Sequence, residues 1–433
     1  MFLLFLLIAI VSCILSFLSF HTRLNPISIY FIIWVFCLLL IELKVIEFNT
    51  LSEQTWILIN AYSLVYTLSF LMGSSLVSKK VSQSVYSSNG NALFLKQFDE
   101  AALKKYLNRT IFFCTAISWL SIIPSVVKLV GSYGLNLVAN SNQIYEDSIS
   151  NLAGSNAGGL SLENFVFVAI VFAGVYVRKF GMSFSVSMAL MTAMLGQLTS
   201  GSRGGLFVQV ALLVGPWILI PKGKTKGKDQ SNIGVRVAVV LALAFLLIIT
   251  YLRKSSLIDL PYATPNLKKL GGFSSLVYNI SFYFTSPIAT LNEFLKSPVH
   301  TYWGASTFRP FYLLLNSLGV TTYNVDFYNI FLFYSPLPAN VVSYIGELIL
   351  DFGTFGGGVA TFIFGAIFGV SYRKSRSNYS SLTWLVVMDI CFALMVLSFF
   401  AWFLRPAYLW FSLIVGVFIS ALAGVLIKHK KIW

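Results

Sequence analysis

FLLFLLIAIVSCILSFLSF, Phe2–Phe20, is an uncharged apolar run of about the 20 residues that cross a bilayer as a helix. It does not read as a secretory leader. No basic segment precedes it, no small-residue cleavage site follows it, and its first positive charge, Arg23, comes after the apolar stretch. It reads as a retained span with its N-terminus outside. Ten further runs of this kind follow, at 27–46, 54–76, 110–133, 162–178, 183–200, 205–221, 236–252, 341–371, 381–403 and 406–427. The expected fold is therefore all-α: one polytopic integral-membrane domain over residues 1–433 with about eleven transmembrane helices.

Composition agrees. Of the 433 residues 57% are hydrophobic and only 10% charged, against about 25% charged in a soluble domain. The net charge of +15 would suggest nucleic acid in a soluble protein. Here the excess lies in loops between spans, no basic-aromatic nucleic-acid module is present, and no nucleic acid partner is expected. Cys13, Cys37, Cys114 and Cys391 lie singly inside apolar runs and read as small buried hydrophobes. His21, His300 and His429 are far apart, so a His-based metal site is not expected.

The loop charges orient the chain. Lys79, Lys80, Lys96, Lys104, Lys105 and Arg109 follow the third span, and Arg178 and Lys179 the fifth. Lys222, Lys224, Lys226 and Lys228 follow the seventh, Arg373, Lys374 and Arg376 the ninth, and Lys428, Lys430 and Lys431 the last. With alternating spans all five groups fall on one side, which the positive-inside rule makes the cytoplasm. The N-terminus is then outside and the C-terminus inside. On the outer side lie a polar loop at 134–161, a large periplasmic or extracellular segment at 253–340, and the turn at Arg405-Pro406. Runs such as Phe273 to Phe284 and Phe311 to Leu318 predict short interfacial helices in the large segment. The 341–371 run exceeds one crossing, so its first turns are expected to protrude.

Removing the cytoplasmic cations leaves a second set. Arg203, Arg253, Lys254, Arg309 and Arg405 sit on the outer side at or near span ends, and a lipid-linked diphosphate suits them because guanidinium groups bind its oxygens bidentately. Arg203 stands in Gly201-Ser202-Arg203-Gly204-Gly205, where small neighbours let the backbone approach a ligand. Lys268, Lys269 and Lys296 read as snorkelling lipid anchors. Glu347 and Asp351, four apart, share a helix face at the outer end of the ninth span. One of them can act as a general base on a sugar hydroxyl, or both can pair with the arginines and hold helices in register. His300, with a near-neutral intrinsic pKa, is a further base candidate. Lys128 and Asp389 are positions a transporter would use for ion coupling; Asp389 reads as a buried, hydrogen-bonded acid.

Two motifs carry a family resemblance: Gly201-Ser202-Arg203-Gly204-Gly205, and Gly346-Glu347-Leu348-Ile349-Leu350-Asp351-Phe352-Gly353 with its following glycines. Together with the late large outer loop they resemble the Wzy-type oligosaccharide repeat-unit polymerases of O-antigen and capsular polysaccharide synthesis. The resemblance implies a fold similar to GT-C-type membrane glycosyltransferases, in the bacterial inner (cytoplasmic) membrane. It implies a metal-independent enzyme that uses no cofactor and transfers a glycan from undecaprenyl diphosphate to the next lipid-linked repeat unit. Implied partners are these lipid-linked oligosaccharides, membrane lipids, a chain-length regulator and a flippase. O-antigen ligases share the layout and are the alternative within the same chemistry. A polysaccharide flippase is the alternative outside it.

Overall fold

The computed structural model describes residues 1–77, 95, 98–134, 140, 143–144, 147, 161–200, 204–220, 264, 274–297, 301–322, 325, 327–335, 337–376 and 381–428. Their structure is almost entirely helical: α1 (Phe2–Phe20), α2 (Pro26–Glu42), α3 (Glu53–Ser75), α4 (Glu100–Tyr133), α5 (Phe165–Phe180), α6 (Phe184–Ser200), α7 (Gly204–Leu219), α8 (Ser274–Phe294), α9 (Arg309–Ser317), α10 (Phe327–Ile330), α11 (Tyr344–Ser375), α12 (Leu382–Val396) and α13 (Ala407–Lys428). A two-residue antiparallel pair, β1 (Phe333–Tyr334) with β2 (Pro338–Ala339), interrupts them.

Local chemistry sets the boundaries. Asn25 and Ser28 exchange side-chain to backbone hydrogen bonds as a capping box in front of α2, and Pro26 opens that helix with its φ already set. Asp99 caps α4 by accepting from the Ala102 amide at 3.0 Å.

Among the described residues five helices are long and apolar enough to cross a membrane: α1, α3, α4, α11 and α13. Their outward faces are apolar, with Leu3, Leu7, Leu68, Phe113, Ile363 and Phe418 all exposed. Water would not tolerate such faces, and lipid does. The chain is thus built as an all-α membrane protein. Helices α2, α6, α7 and α12 are apolar but shorter, and the expected span at 236–252 lies outside the described residues.

Three expected elements differ in shape. The run expected at Phe273 to Phe284 is helical from Ser274, the first described residue there, and continues to Phe294, well beyond Phe284. Past Phe284 the Thr285 hydroxyl turns back onto the Ser281 carbonyl at 2.6 Å and the helix runs on. The stretch 381–403 is helical only to Val396, and then turns; Ser398 accepts from the Tyr344 amide at 2.9 Å and from the Trp34 indole at 3.0 Å. Helix α11 is broken at Gly353, whose φ of 72° is open to glycine and unfavourable for other residues. The piece after the break, 354–375, is long enough to cross the ~30 Å hydrocarbon core alone. The piece before it carries Glu347 and Asp351. Helix α9 matches the expected interfacial run: Phe311, Leu314, Leu315 and Leu318 are exposed while Pro310 and Leu313 are buried.

Contacts divide the chain into two compact units. The first comprises 1–71, 248–366 and 394–405. Its core is aromatic and hydroxyl-rich: Tyr30 bonds Ser63 at 3.0 Å and lies 4.7 Å ring to ring from Tyr66, and Tyr62 donates to the Thr354 carbonyl at 2.8 Å. The end of α8 is pinned by Asn292, which accepts from the Ser52 amide at 2.7 Å and the Thr55 hydroxyl at 2.9 Å. The second unit comprises 72–247, 367–393 and 406–433. It is organised on α5, which is buried continuously from Val166 to Val177, and Phe167 stacks on Tyr408 at 4.2 Å. In this unit α5 and α7 meet at Gly174, where a Cβ would lie 2.7 Å from the Leu212 carbonyl oxygen and 3.1 Å from Pro216. Small residues at such crossings let helix backbones touch.

Gly174→Ala is therefore expected to lower the melting temperature in detergent, at a cost of about 1–3 kcal/mol for overpacking. Gly358→Ala in α11, where a Cβ meets nothing within 4 Å, serves as the control and is expected to leave stability unchanged or raised. Equal melting temperatures for the two variants would refute this packing account.

Candidate functional site

The break at Gly353 builds the site. Breaking a helix strips its last carbonyls of intrahelical partners. Here the segment 301–308 supplies replacements: Tyr302 N–H donates to the Leu350 carbonyl at 2.9 Å and Gly304 N–H to the Asp351 carbonyl at 3.2 Å. Once docked, the same segment reaches the two acidic side chains one turn apart on α11.

Asp351 is fully buried. It accepts from the Ser306 amide at 2.7 Å, the Thr307 amide at 2.7 Å and the Thr307 hydroxyl at 2.6 Å. The Thr307 hydroxyl in turn accepts from the Trp402 indole at 3.0 Å. Glu347, also fully buried, accepts from the Ser306 hydroxyl and from the Trp402 amide at 3.2 Å. Its ion-pair partner is Arg405, with Nη1 3.6 Å from Oε1. Carboxylates removed from solvent are tolerated only when paired and hydrogen-bonded, and these two divide the donors of three segments between them.

Arg405 sits differently. Its side chain is 23% exposed. The guanidinium lies over the rings of Phe327 in α10, at 5.4 Å, and Phe331, at 5.9 Å, a cation–π arrangement. At 3.6 Å its contact with Glu347 is an ion pair without a short hydrogen bond. None of the five guanidinium N–H donors makes a hydrogen bond among the described residues. Arg405 is thus held by a carboxylate and two rings, with no hydrogen bond on its donors among the described residues.

Glu347, Asp351 and Arg405, singled out in the sequence, come together. Arg309 opens α9 two residues beyond Thr307, half-buried, with its amide on the Ser306 carbonyl at 3.3 Å. Arg203, Arg253, Lys254 and His300 lie outside the described residues, as do Lys268 and Lys269. Lys296 pairs with Glu293 at 2.8 Å. Partial burial pushes the Glu293 carboxyl up, but hydrogen bonds from Lys296 and Asn49 outweigh it and hold it below the ordinary carboxylate range. Asp389 departs from its expected role. It is fully buried beside Gly215 and Phe392, and neither carboxyl oxygen has a hydrogen-bond partner among the described residues. Its position on α12 turns it toward α7 at Gly215.

Ser306, Thr307 and Trp402 had no signal of their own. All three contribute backbone amides, which nearly every residue type carries, and only the closeness of Trp402 to Arg405 in the chain pointed that way. No group of three or more His, Cys, Asp and Glu side chains set to hold a metal occurs among the described residues. Comparison with known protein families, curated proteins and solved structures finds no match to this chain.

The same isosteric change should act differently on the two buried aspartates. Asp351→Asn turns one acceptor into a donor facing N–H and O–H groups, and is expected to cost about 1–3 kcal/mol. Asp389→Asn breaks no hydrogen bond, and its melting temperature should stay close to that of the parent. Thermal unfolding of both variants in the same detergent checks this; a larger loss for Asp389→Asn would refute it.

Proposed function

We propose that this protein polymerises lipid-linked oligosaccharide repeat units, of the O-antigen or capsular kind, on the outer face of a bacterial inner membrane. The observation that carries the reading is Arg405: a guanidinium held at a buried carboxylate pair, with no hydrogen bond on its N–H donors among the described residues. The two motifs in which the sequence resembles the Wzy-type polymerases supply the rest. One contains Glu347 and Asp351; the other contains Arg203. In this reading about eleven spans carry a fold similar to the GT-C-type glycosyltransferases, with the N-terminus outside and the C-terminus in the cytoplasm.

The growing glycan arrives on undecaprenyl diphosphate. A hydroxyl of the next lipid-linked repeat unit attacks its anomeric carbon, the bond from that carbon to the diphosphate oxygen breaks, and the lipid diphosphate leaves with the electron pair. Negative charge on the departing oxygen grows in the transition state, and a guanidinium placed there beforehand stabilises it most at that moment. Arg405 takes this part, with Arg203, Arg253, Lys254 and Arg309 as the further cations of the diphosphate site. The hydroxyl proton passes to a carboxylate or to His300. Glu347 suits this better than Asp351, whose oxygens already hold the 306–307 backbone.

Arg405→Ala should reduce polymer formation by about 10²-fold or more, the usual cost of removing one such donor, while single repeat units still reach the cell surface. Arg405→Lys should restore only part, since an ammonium keeps the charge but loses the two-pronged geometry. Arg203→Ala should resemble Arg405→Ala. The readout is the glycan ladder of cells carrying each variant as the sole copy, at equal expression. A normal ladder in Arg405→Ala overturns the proposal. Long lipid-linked polymer accumulating in a null strain would point to a ligase, and transport of a lipid-linked sugar in liposomes without bond formation to a flippase.

A further inference from the structure

Trp303 stands out in the docking segment. Its φ is +51°, a left-handed conformation that costs a bulky L-residue roughly 1–2 kcal/mol. The surrounding structure enforces it. The amides on either side, Tyr302 and Gly304, are bonded to the Leu350 and Asp351 carbonyls, and the Trp303 carbonyl accepts from the Tyr312 hydroxyl of α9 at 3.1 Å. With the backbone turned inward at both flanks, the side chain is turned out. The indole is 78% exposed and makes no ring contact among the described residues. Neighbouring rings do pack: Phe308 pairs with Phe311 at 6.4 Å.

We propose that Trp303 is a sugar-stacking platform, taking the C–H face of a pyranose ring of the glycan against its indole. This rests on the polymerase reading and deepens it by placing a carbohydrate subsite. The indole is tied to the phosphate-facing cation by a short chain of contacts. Three residues beyond Trp303, the Ser306 hydroxyl donates to Glu347, and Glu347 holds Arg405. A lipid-linked sugar has the matching two ends, an anionic diphosphate and an adjoining ring. An indole serves the ring end well because it is broad, flat and nearly rigid, so it loses little entropy on binding. The competing role for an exposed Trp in a membrane protein is an anchor at the headgroup level. Such an anchor needs a large apolar side chain but no left-handed backbone, and no attachment to the helix end that carries the two acids.

The test uses four variants in the full-length protein, each as the sole copy: Trp303→Phe, Trp303→Leu, Trp303→Gly and, for the underlying reading, Arg405→Ala. Glycan chain length and polymer yield are read together with melting temperature in detergent. Trp303→Phe keeps a flat ring and should polymerise near the parental level. Trp303→Leu keeps apolar bulk without a face to stack on and should lose about tenfold or more, the value of one aromatic contact. Trp303→Gly relieves the backbone strain, so it should melt at or above the parental temperature and still lose activity as Trp303→Leu does. That separates loss of the platform from loss of the fold. If Arg405→Ala stops chain growth while Trp303→Leu and Trp303→Gly polymerise normally, the platform is overturned and the polymerase reading stands. If the glycan is unchanged in every variant, both fall together.

Discussion

Two carboxylates withdrawn from solvent one helical turn apart, Glu347 and Asp351, are the constraint on which the first unit is organised. Like charges at this spacing repel, and burial removes the water that would screen them. Their cost is met by donors from three places: the 301–308 segment, the turn at Trp402 and the guanidinium of Arg405. Segments from before and after α11 in the chain are thereby fixed to its first piece. The break at Gly353 makes this possible, since it frees the carbonyls of Leu350 and Asp351 to receive the same segment that answers the side chains. Backbone and side-chain requirements are satisfied by one stretch of chain.

Much of the architecture was legible in the sequence because lipid imposes a simple rule. Every backbone group in the hydrocarbon must be satisfied locally, so a long apolar run has to be a helix. Phe2–Phe20 and the run that became α13 were readable on that ground alone. The break in α11 was not. The glycines at 353, 356, 357 and 358 look equivalent in sequence and suggested close packing. Gly357 fits that, with the Leu348 backbone 3.1 Å from where a Cβ would lie. Gly353 serves a different purpose, and its left-handed φ depends on the docking segment beside it, which no local pattern reveals. Helix α8 shows the opposite case: the expected run closes at Phe284, yet the Thr285 hydroxyl bonds back into its own helix, which continues to Phe294.

The acids of the site were legible for a similar reason. A charged residue in an apolar run is conspicuous, and spacing of four puts two of them on one face. Their partners were not, because Ser306 and Thr307 act largely through main-chain amides, which leave no compositional trace. The sequence also left open whether the pair does chemistry or holds the register of the helices. The geometry separates the two members. Asp351 spends its acceptor capacity on the backbone of 306–307, which fits a latch. Glu347 faces Arg405, whose donors make no hydrogen bond among the described residues.

An electrostatic argument then limits how this site can work. Glu347 and Asp351 bring two negative charges, and Arg405 returns one positive charge. An anion entering beside that trio meets a region that is not yet favourable to it, and the weak dielectric near a membrane sharpens the penalty. Hydrogen bonds from Ser306, Thr307 and Trp402 spread the carboxylate charge but do not cancel it. A diphosphate therefore needs at least one more cation close by. Arg309 is the nearest along the chain, because it opens α9 directly after the segment that holds both acids. Arg203, Arg253 and Lys254 are the others the sequence offers. The diphosphate reading thus requires a convergent set of cations, of which Arg405 is the member whose placement is defined by its own acidic neighbour. The carboxylate that orients Arg405 also offsets its charge, so on this reading the positive field that a diphosphate needs has to come from the further cations.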